Sequence, residues 1–170
     1  MAGNKYIANS AGTLTEVAAN QVSAGAGDAG KIVALDATGR IDTSMMPTGI
    51  GADTAAITTS EALAAGDFVN VFNNAGTPNV RKADASVAGK EAMGFVLAAF
   101  GAAATATVFF EGTNTQVTGQ TAGKVFLSAT TPGKTTSTAP ATAGQVVQVV
   151  GFATSATTVN CQIELPITLA

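Results

Sequence analysis

The sequence predicts a mainly β fold: a compact β-sandwich or barrel built from a duplicated strand-hairpin unit and preceded by an extended, glycine-punctuated N-terminal arm. Three observations carry this. Ala65-Gly66-Asp67-Phe68-Val69-Asn70-Val71 opens one unit and Ala122-Gly123-Lys124-Val125-Phe126-Leu127-Ser128 another, and each runs through polar turns to a Gly-Phe pair, Gly94-Phe95 and Gly151-Phe152. The openings and the Gly-Phe pairs are both 57 residues apart, and the loop after Phe95 is four residues longer in the first copy. Short runs rich in Val, Phe, Thr and Ile recur from Ile57 onward, whereas glycines interrupt residues 1–57 too often for a long helix.

The division expected is therefore an arm over 1–57 and a β-domain over 58–170, with pseudo-repeats at 62–111 and 119–165. In the arm, short apolar groups recur at Tyr6-Ile7, Leu14 with Val17, Ile32-Val33 with Leu35, Ile41, and Met45-Met46-Pro47. Thr13 with Glu16 three residues later predicts one or two helical turns over 13–22 through a capping box. Asp42 to Pro47 predicts another short turn of helix, ended by the proline.

In the β-domain, Phe68–Phe72, the Asn73-Asn74-Ala75-Gly76 turn and Asn79–Ala83 read as a hairpin, since Asn and Gly tolerate positive φ. Met93–Phe100 and Ala104–Glu111 read as a second hairpin about Gly101. The second copy repeats the scheme with Lys124–Ala129, a Pro/Gly/Thr connection, and Gln145–Thr154 paired with Thr157–Leu165.

Composition narrows the function. Only 11% of residues are charged against 46% hydrophobic, and the apolar content is mostly Ala and Val. Such thin strands gain by burial against copies of themselves, which points to an oligomer. A net charge of −3 argues against a nucleic-acid partner, because phosphate binding needs clustered cations. Arg81-Lys82, the one adjacent basic pair, reads as solvated loop. No apolar run is long enough to span a bilayer and the N-terminus carries no leader-like apolar core, so the expectation is no membrane partner and a product made in the cytoplasm.

Catalytic constellations find little support. Histidine is absent and Cys161 is the single cysteine, which removes Ser-His-Asp, Cys-His and ordinary zinc sites. Cys161 reads as a small core residue. Glu111 and Glu164 stand at equivalent ends of the two units, where strand-end solvation explains them more simply than a carboxylate pair. Gly25-x-Gly27-x-x-Gly30 fits a dinucleotide pattern, but the strand-like Lys31–Leu35 follows where a helix is required. Gly133-Lys134-Thr135 lacks the upstream glycine of a phosphate loop. Asp36-Ala37-Thr38-Gly39-Arg40 reads as a tight turn in preference to a calcium loop. No catalytic residue, metal or cofactor is assigned, and the chain is not expected to be an enzyme.

Gly30-Lys31-Ile32-Val33-Ala34-Leu35-Asp36-Ala37-Thr38-Gly39-Arg40-Ile41-Asp42-Thr43-Ser44-Met45-Met46-Pro47 resembles a G-K-I-x-x-L-D-x-x-G-R-I-D-x-S-x-x-P segment of head-fibre and tail-fibre proteins of tailed bacteriophages, where it is an extended, multimer-forming connector. Ala65–Val69, Gly94–Leu97 and Ala122–Lys124 make the C-terminal half resemble small capsid-cement β-domains of such phages. The two resemblances imply a head decoration protein, a homotrimer on the outer surface of an icosahedral capsid, with itself and the major capsid protein as partners. The apolar residues Ile32, Leu35, Ile41, Met45, Met46 and Pro47 are then the expected capsid or inter-subunit contacts; the alternative is that they pack beneath the β-domain of their own chain. A tail-fibre or receptor-binding module is the rival reading, although a chain with one Tyr and no Trp is poor in aromatic binding platforms.

Overall fold

The computed structural model describes residues 4–46 and 51–170, and the chain divides into two units, 1–51 and 52–170. The N-terminal unit opens with an antiparallel hairpin of β1 (Lys5–Ser10) and β2 (Thr13–Ala18). The helical turns expected over 13–22 are thus replaced by a strand. Thr13-Leu14-Thr15-Glu16-Val17 alternates in period two with β-branched residues, and this outweighs the capping box. The turn places Ala11 and Gly12 at φ 51° and 88°, and the Asn9 side chain accepts a 2.9 Å hydrogen bond from Gly12 N. Both central residues must have positive φ for such a two-residue turn.

Among the described residues the rest of the unit is loop with two 3-10 turns, Ala26–Asp28 and Thr43–Met45. The second is the turn expected after Asp42, whose carboxylate accepts from Ser44 N at 2.9 Å. Lys31–Leu35 forms no strand of its own. It contributes one parallel bridge, Asn20 to Val33, through Asn20 N to Ile32 O and Ala34 N to Asn20 O.

The second unit begins at Ala52, ahead of the boundary expected at 58, because β3 (Thr54–Thr59) belongs to a closed barrel. The other barrel strands are β4 (Phe68–Asn74), β5 (Thr77–Lys82), β6 (Gly94–Phe95) and β7 (Thr105–Phe109), in the order β3-β5-β4-β6-β7. The β4–β5 hairpin is the one read from the sequence. Its turn, Ala75 and Gly76 at φ 50° and 93° with Asn73 accepting from Gly76 N, repeats the β1–β2 device. The second expected hairpin is truncated: β6 meets β7 only at Phe95 and Phe109, after which Val96 bonds to Asp67 and Gly66, and Phe100 to Leu63. Closing a narrow barrel bends the chain away from β7 at that point.

An open sheet of β8 (Gly112–Asn114), β9 (Gly123–Leu127), β10 (Thr135–Thr136), β12 (Val149–Ser155) and β13 (Thr158–Cys161) is ordered β10-β9-β12-β13-β8. A separate pair joins β11 (Val146–Val147) to β14 (Ile167–Thr168). The duplication is visible in these orders, since β5-β4-β6-β7-β3 and β10-β9-β12-β13-β8 list equivalent strands with the same pairings. The outer strands match in register. Asn114 opposite Val159 corresponds to Ile57 opposite Ala106, and Gly112 opposite Cys161 to Ala55 opposite Val108. The copies differ in closure: β3 pairs in parallel with β5, whereas β10 is two residues long and stops short of β8.

Alternation along the barrel strands feeds two cores. Leu63, Val69, Val80, Val96, Ala106 and Val108 form one buried cluster of barrel residues. Phe68 and Phe95 join Val125, Leu127, Val150 and Val159 of the second sheet in the other. Phe95 lies between Phe68 and Phe109, with ring centroids 6.1 and 5.5 Å away. Buried polar groups are held: the Gln148 amide pairs with Ala92 N and O at 2.8 and 3.0 Å, and Asn114 donates to Gly66 O at 3.0 Å.

The repeated Gly-Phe pair has a steric cause. A Cβ at Gly94 would stand 2.5 Å from Phe109 O, and one at Gly151 2.1 Å from Asn160 O. Gly94→Ala and Gly151→Ala should each destabilise the unit by about 2–3 kcal/mol through overpacking. Gly101→Ala, with nothing within 4 Å, should stay within about 0.5 kcal/mol in the same chemical-denaturation measurement.

Gly133-Lys134 also has a structural reason. Asp67, 1% exposed, accepts from Ala64 N at 2.8 Å through Oδ2, while Lys134 Nζ sits 2.6 Å from Oδ1 as an ion pair without hydrogen-bond alignment. A Cβ at Gly133 would lie 2.9 Å from the same carboxylate. Lys134→Met should cost about 2 kcal/mol, less than a fully buried pair because the lysine is half-exposed, and adding Asp67→Asn should recover most of it in thermal unfolding.

Candidate functional site

In the N-terminal unit the side chains that hold the backbone are polar and those left outside are apolar. Asp36 Oδ1 accepts from Thr38 N, Thr38 Oγ1 and Arg40 N at 2.8, 2.7 and 2.9 Å, and Asp36 N donates to Arg40 O, closing the turn around Gly39 at φ 78°. Asp28 pairs with Lys31 at 2.8 Å and accepts from Ala24 N at 2.7 Å. Gln21 Nε2 donates to Leu35 O, and Ser23 N donates to Ser44 Oγ. Lys5 and Glu16 form an ion pair across the hairpin. The Asp36 turn read from the sequence is a turn whose carboxylate is engaged by its own backbone.

Among the described residues the only buried hydrophobic side chain of this unit is Ala34, whereas Ile7, Leu14, Val22, Ile32, Val33, Leu35, Ile41 and Met46 are exposed. Four of the six contact residues expected from the sequence, Ile32, Leu35, Ile41 and Met46, are in that exposed set. Met45 is half-buried beside a hollow that Asn20, Ser23 and Asp28 also line. Pro47 lies outside the described residues. Ile7 and Leu14, already among the arm's recurring apolar groups in the sequence, are exposed as well, on a hairpin that sequence reading missed although Asn9-Ser10-Ala11-Gly12-Thr13 signals its turn.

Elsewhere, Arg81-Lys82 is on strand β5 and is not a solvated loop. The Arg81 guanidinium lies 4.3 Å from the centre of the Phe72 ring, its Nε donates to Asn70 Oδ1, and a second nitrogen donates to Gly89 O. Cys161 is buried in the core, which pushes its thiol up to about 12. Glu111 and Glu164 are exposed and line one cleft, so the structure does bring these equivalent acids into one place. Gly25 to Gly30 surrounds a 3-10 turn with neither the strand before it nor the helix after it that dinucleotide binding requires. No family model matches the chain, and neither a curated protein nor a solved structure does.

Three carboxyls of the N-terminal unit are held below the usual aspartate value of 3.8: Asp28 mainly by Lys31, Asp36 mainly by the Arg40 backbone N–H, and Asp42 mainly by Ser44. Their folded pKa values are depressed, so what they contribute is complete above about pH 4 and is lost as pH falls further through the folded values. Amide exchange in residues 20–45 should therefore accelerate below pH 4, after correction for intrinsic rates, before that of β4 and β12. Asp36→Asn should blunt the acceleration around the turn.

Proposed function

We propose that this chain is a virion structural protein that decorates and stabilises the outside of an icosahedral phage capsid as a homotrimer, and catalyses no reaction. The observation that carries the reading is the contrast between the two units. The second unit buries most of its Phe and Val residues in two cores of its own, with Val87, Met93, Phe152, Leu165 and Ile167 left exposed, while the first, among its described residues, buries only Ala34 of its hydrophobic side chains and exposes Ile7, Leu14, Val22, Ile32, Val33, Leu35, Ile41 and Met46. A segment so built gains by burial against another surface. The resemblance of Gly30–Pro47 to phage fibre connectors supports reading that surface as the capsid lattice and neighbouring subunits. An acidic chain suits the outside of a shell filled with DNA.

Several such segments on one oligomer act together. When the spacing matches the lattice, the second and third engagements are intramolecular and raise apparent affinity by about 10²-fold or more. The protein then needs only modest affinity per segment, consistent with few charges and small side chains. The alternative, a tail-fibre or receptor-binding module, predicts a copy number fixed by the tail or a vertex in place of one that scales with the capsid lattice.

Ile32→Asp combined with Leu35→Asp should lower occupancy on heads lacking the protein by at least about 10-fold, the loss expected for two exposed apolar contacts. The melting of the second unit should be unchanged. Gel quantification of protein per head after sedimentation checks this; undiminished occupancy, or a copy number matching only the tail, contradicts it.

A further inference from the structure

The second unit has an apolar patch of its own, where the end of the barrel meets the C-terminal segment. Two adjoining hollows of about 520 and 480 Å³ share Phe110, Ile163 and Glu164. Leu165 is 90% exposed on one of them, beside Met93, which is also exposed. Glu111 and Glu164 stand along the rim, Glu91 also lines one of the hollows, and no lysine or arginine lines either. Neither rim carboxylate is in an ion pair among the described residues. The surface therefore sets the apolar side chains of Met93, Phe110, Ile163 and Leu165 beside polar groups and unpaired negative charge, complementary to an apolar side chain accompanied by a cation.

The N-terminal unit offers such an element. Lys5 is paired with Glu16 and Lys31 with Asp28, which leaves Arg40 as the cation without an ion-pair partner among the described residues of that unit. Arg40 is at the base of the Asp36 turn, its backbone fixed by donating to Asp36 Oδ1 and accepting from Asp36 N, and Leu35 and Ile41 beside it are 51% and 50% exposed. A preformed turn loses little freedom on docking. A guanidinium can reach a carboxylate in bidentate fashion, which fixes orientation as well as attraction.

We propose that the cleft between Phe110 and Leu165 receives the Arg40-Ile41 turn of a second copy of this chain, with Ile41 on the cleft's apolar side chains and Arg40 against Glu111 and Glu164. Turn and cleft are different surfaces, so the contact is head-to-tail and closes into a ring when the rotation allows, which gives a trimer from one repeated contact. This rests on the self-association in the function proposed above and names the surface that mediates it.

The test mixes two variants, Ile41→Cys and Leu165→Cys, with the native Cys161 left in place because its thiol is buried. Oxidation of the mixture should give a disulfide-linked heterodimer on non-reducing electrophoresis. Adding Arg40→Glu to the first variant should abolish it, and adding Glu111→Arg with Glu164→Arg to the second should restore it. In sedimentation, Arg40→Glu alone should weaken assembly by about 10-fold or more. No heterodimer from the mixture, or a crosslink only within a chain carrying both cysteines, overturns the proposal. Full occupancy on heads without the crosslink overturns this contact and leaves the proposed function standing, whereas a crosslinked oligomer that ignores heads supports the contact and overturns the function.

Discussion

Phe68 and Phe95 belong to one core and Val69 and Val96 to the other, and the β unit depends on the adjacent strands β4 and β6 being buried on both faces. Such a pair accepts no change of register, because a one-residue slip would exchange the two sets of side chains and place Phe among the fully buried Val, Ala and Leu of the barrel cluster. The small residues that make the composition look thin are what a five-stranded barrel requires, since its interior holds little more than valine-sized groups. Gly94 and Gly151 follow from the same constraint. In each copy the neighbouring strand's carbonyl approaches so closely that a methyl group has no room.

The N-terminal unit is held by other forces. Aspartates close its turns and backbone bonds align its segments, while among its described residues Ala34 is the one buried hydrophobic side chain. Two-stranded hairpins and hydrogen-bonded loops are marginal in water by themselves. The outward display of Ile7, Leu14, Ile32, Leu35 and Ile41 supplies the missing term once another surface covers them. The asymmetry between a self-sufficient barrel and a unit completed from outside is the physical content of the decoration proposal.

The sequence made part of this legible. The repeat was readable because Gly-Phe and the Ala-Gly openings are chemically distinctive, and the β4–β5 hairpin because Asn73 to Gly76 carries a turn with positive φ. The same signal at Asn9 to Thr13 competes with the capping-box pattern of Thr13 and Glu16, which points to helical turns where the structure has the second strand of a hairpin. The strands β3 and β8 escaped the repeat, since Thr54–Thr59 offers only Ile57 as a large apolar residue and Gly112–Asn114 none. Their equivalence is a matter of matching registers with β7 and β13, which only pairing reveals. The exposed positions of Ile32, Leu35, Ile41 and Met46 follow the reading of the arm as a docking segment. The cleft at Phe110 and Leu165 was illegible because residues far apart in the chain build it.

Amide hydrogen exchange on the full chain, compared between dilute unassembled protein and protein bound to heads, tests the central claim most directly. The account predicts weaker protection across residues 5–41 than in β4, β6 and β12 in the unassembled chain, strong slowing of that segment on assembly, and unchanged protection in β4, β6 and β12. Slow exchange of residues 5–41 in a solitary monomer, or no change on exposure to heads, would contradict it.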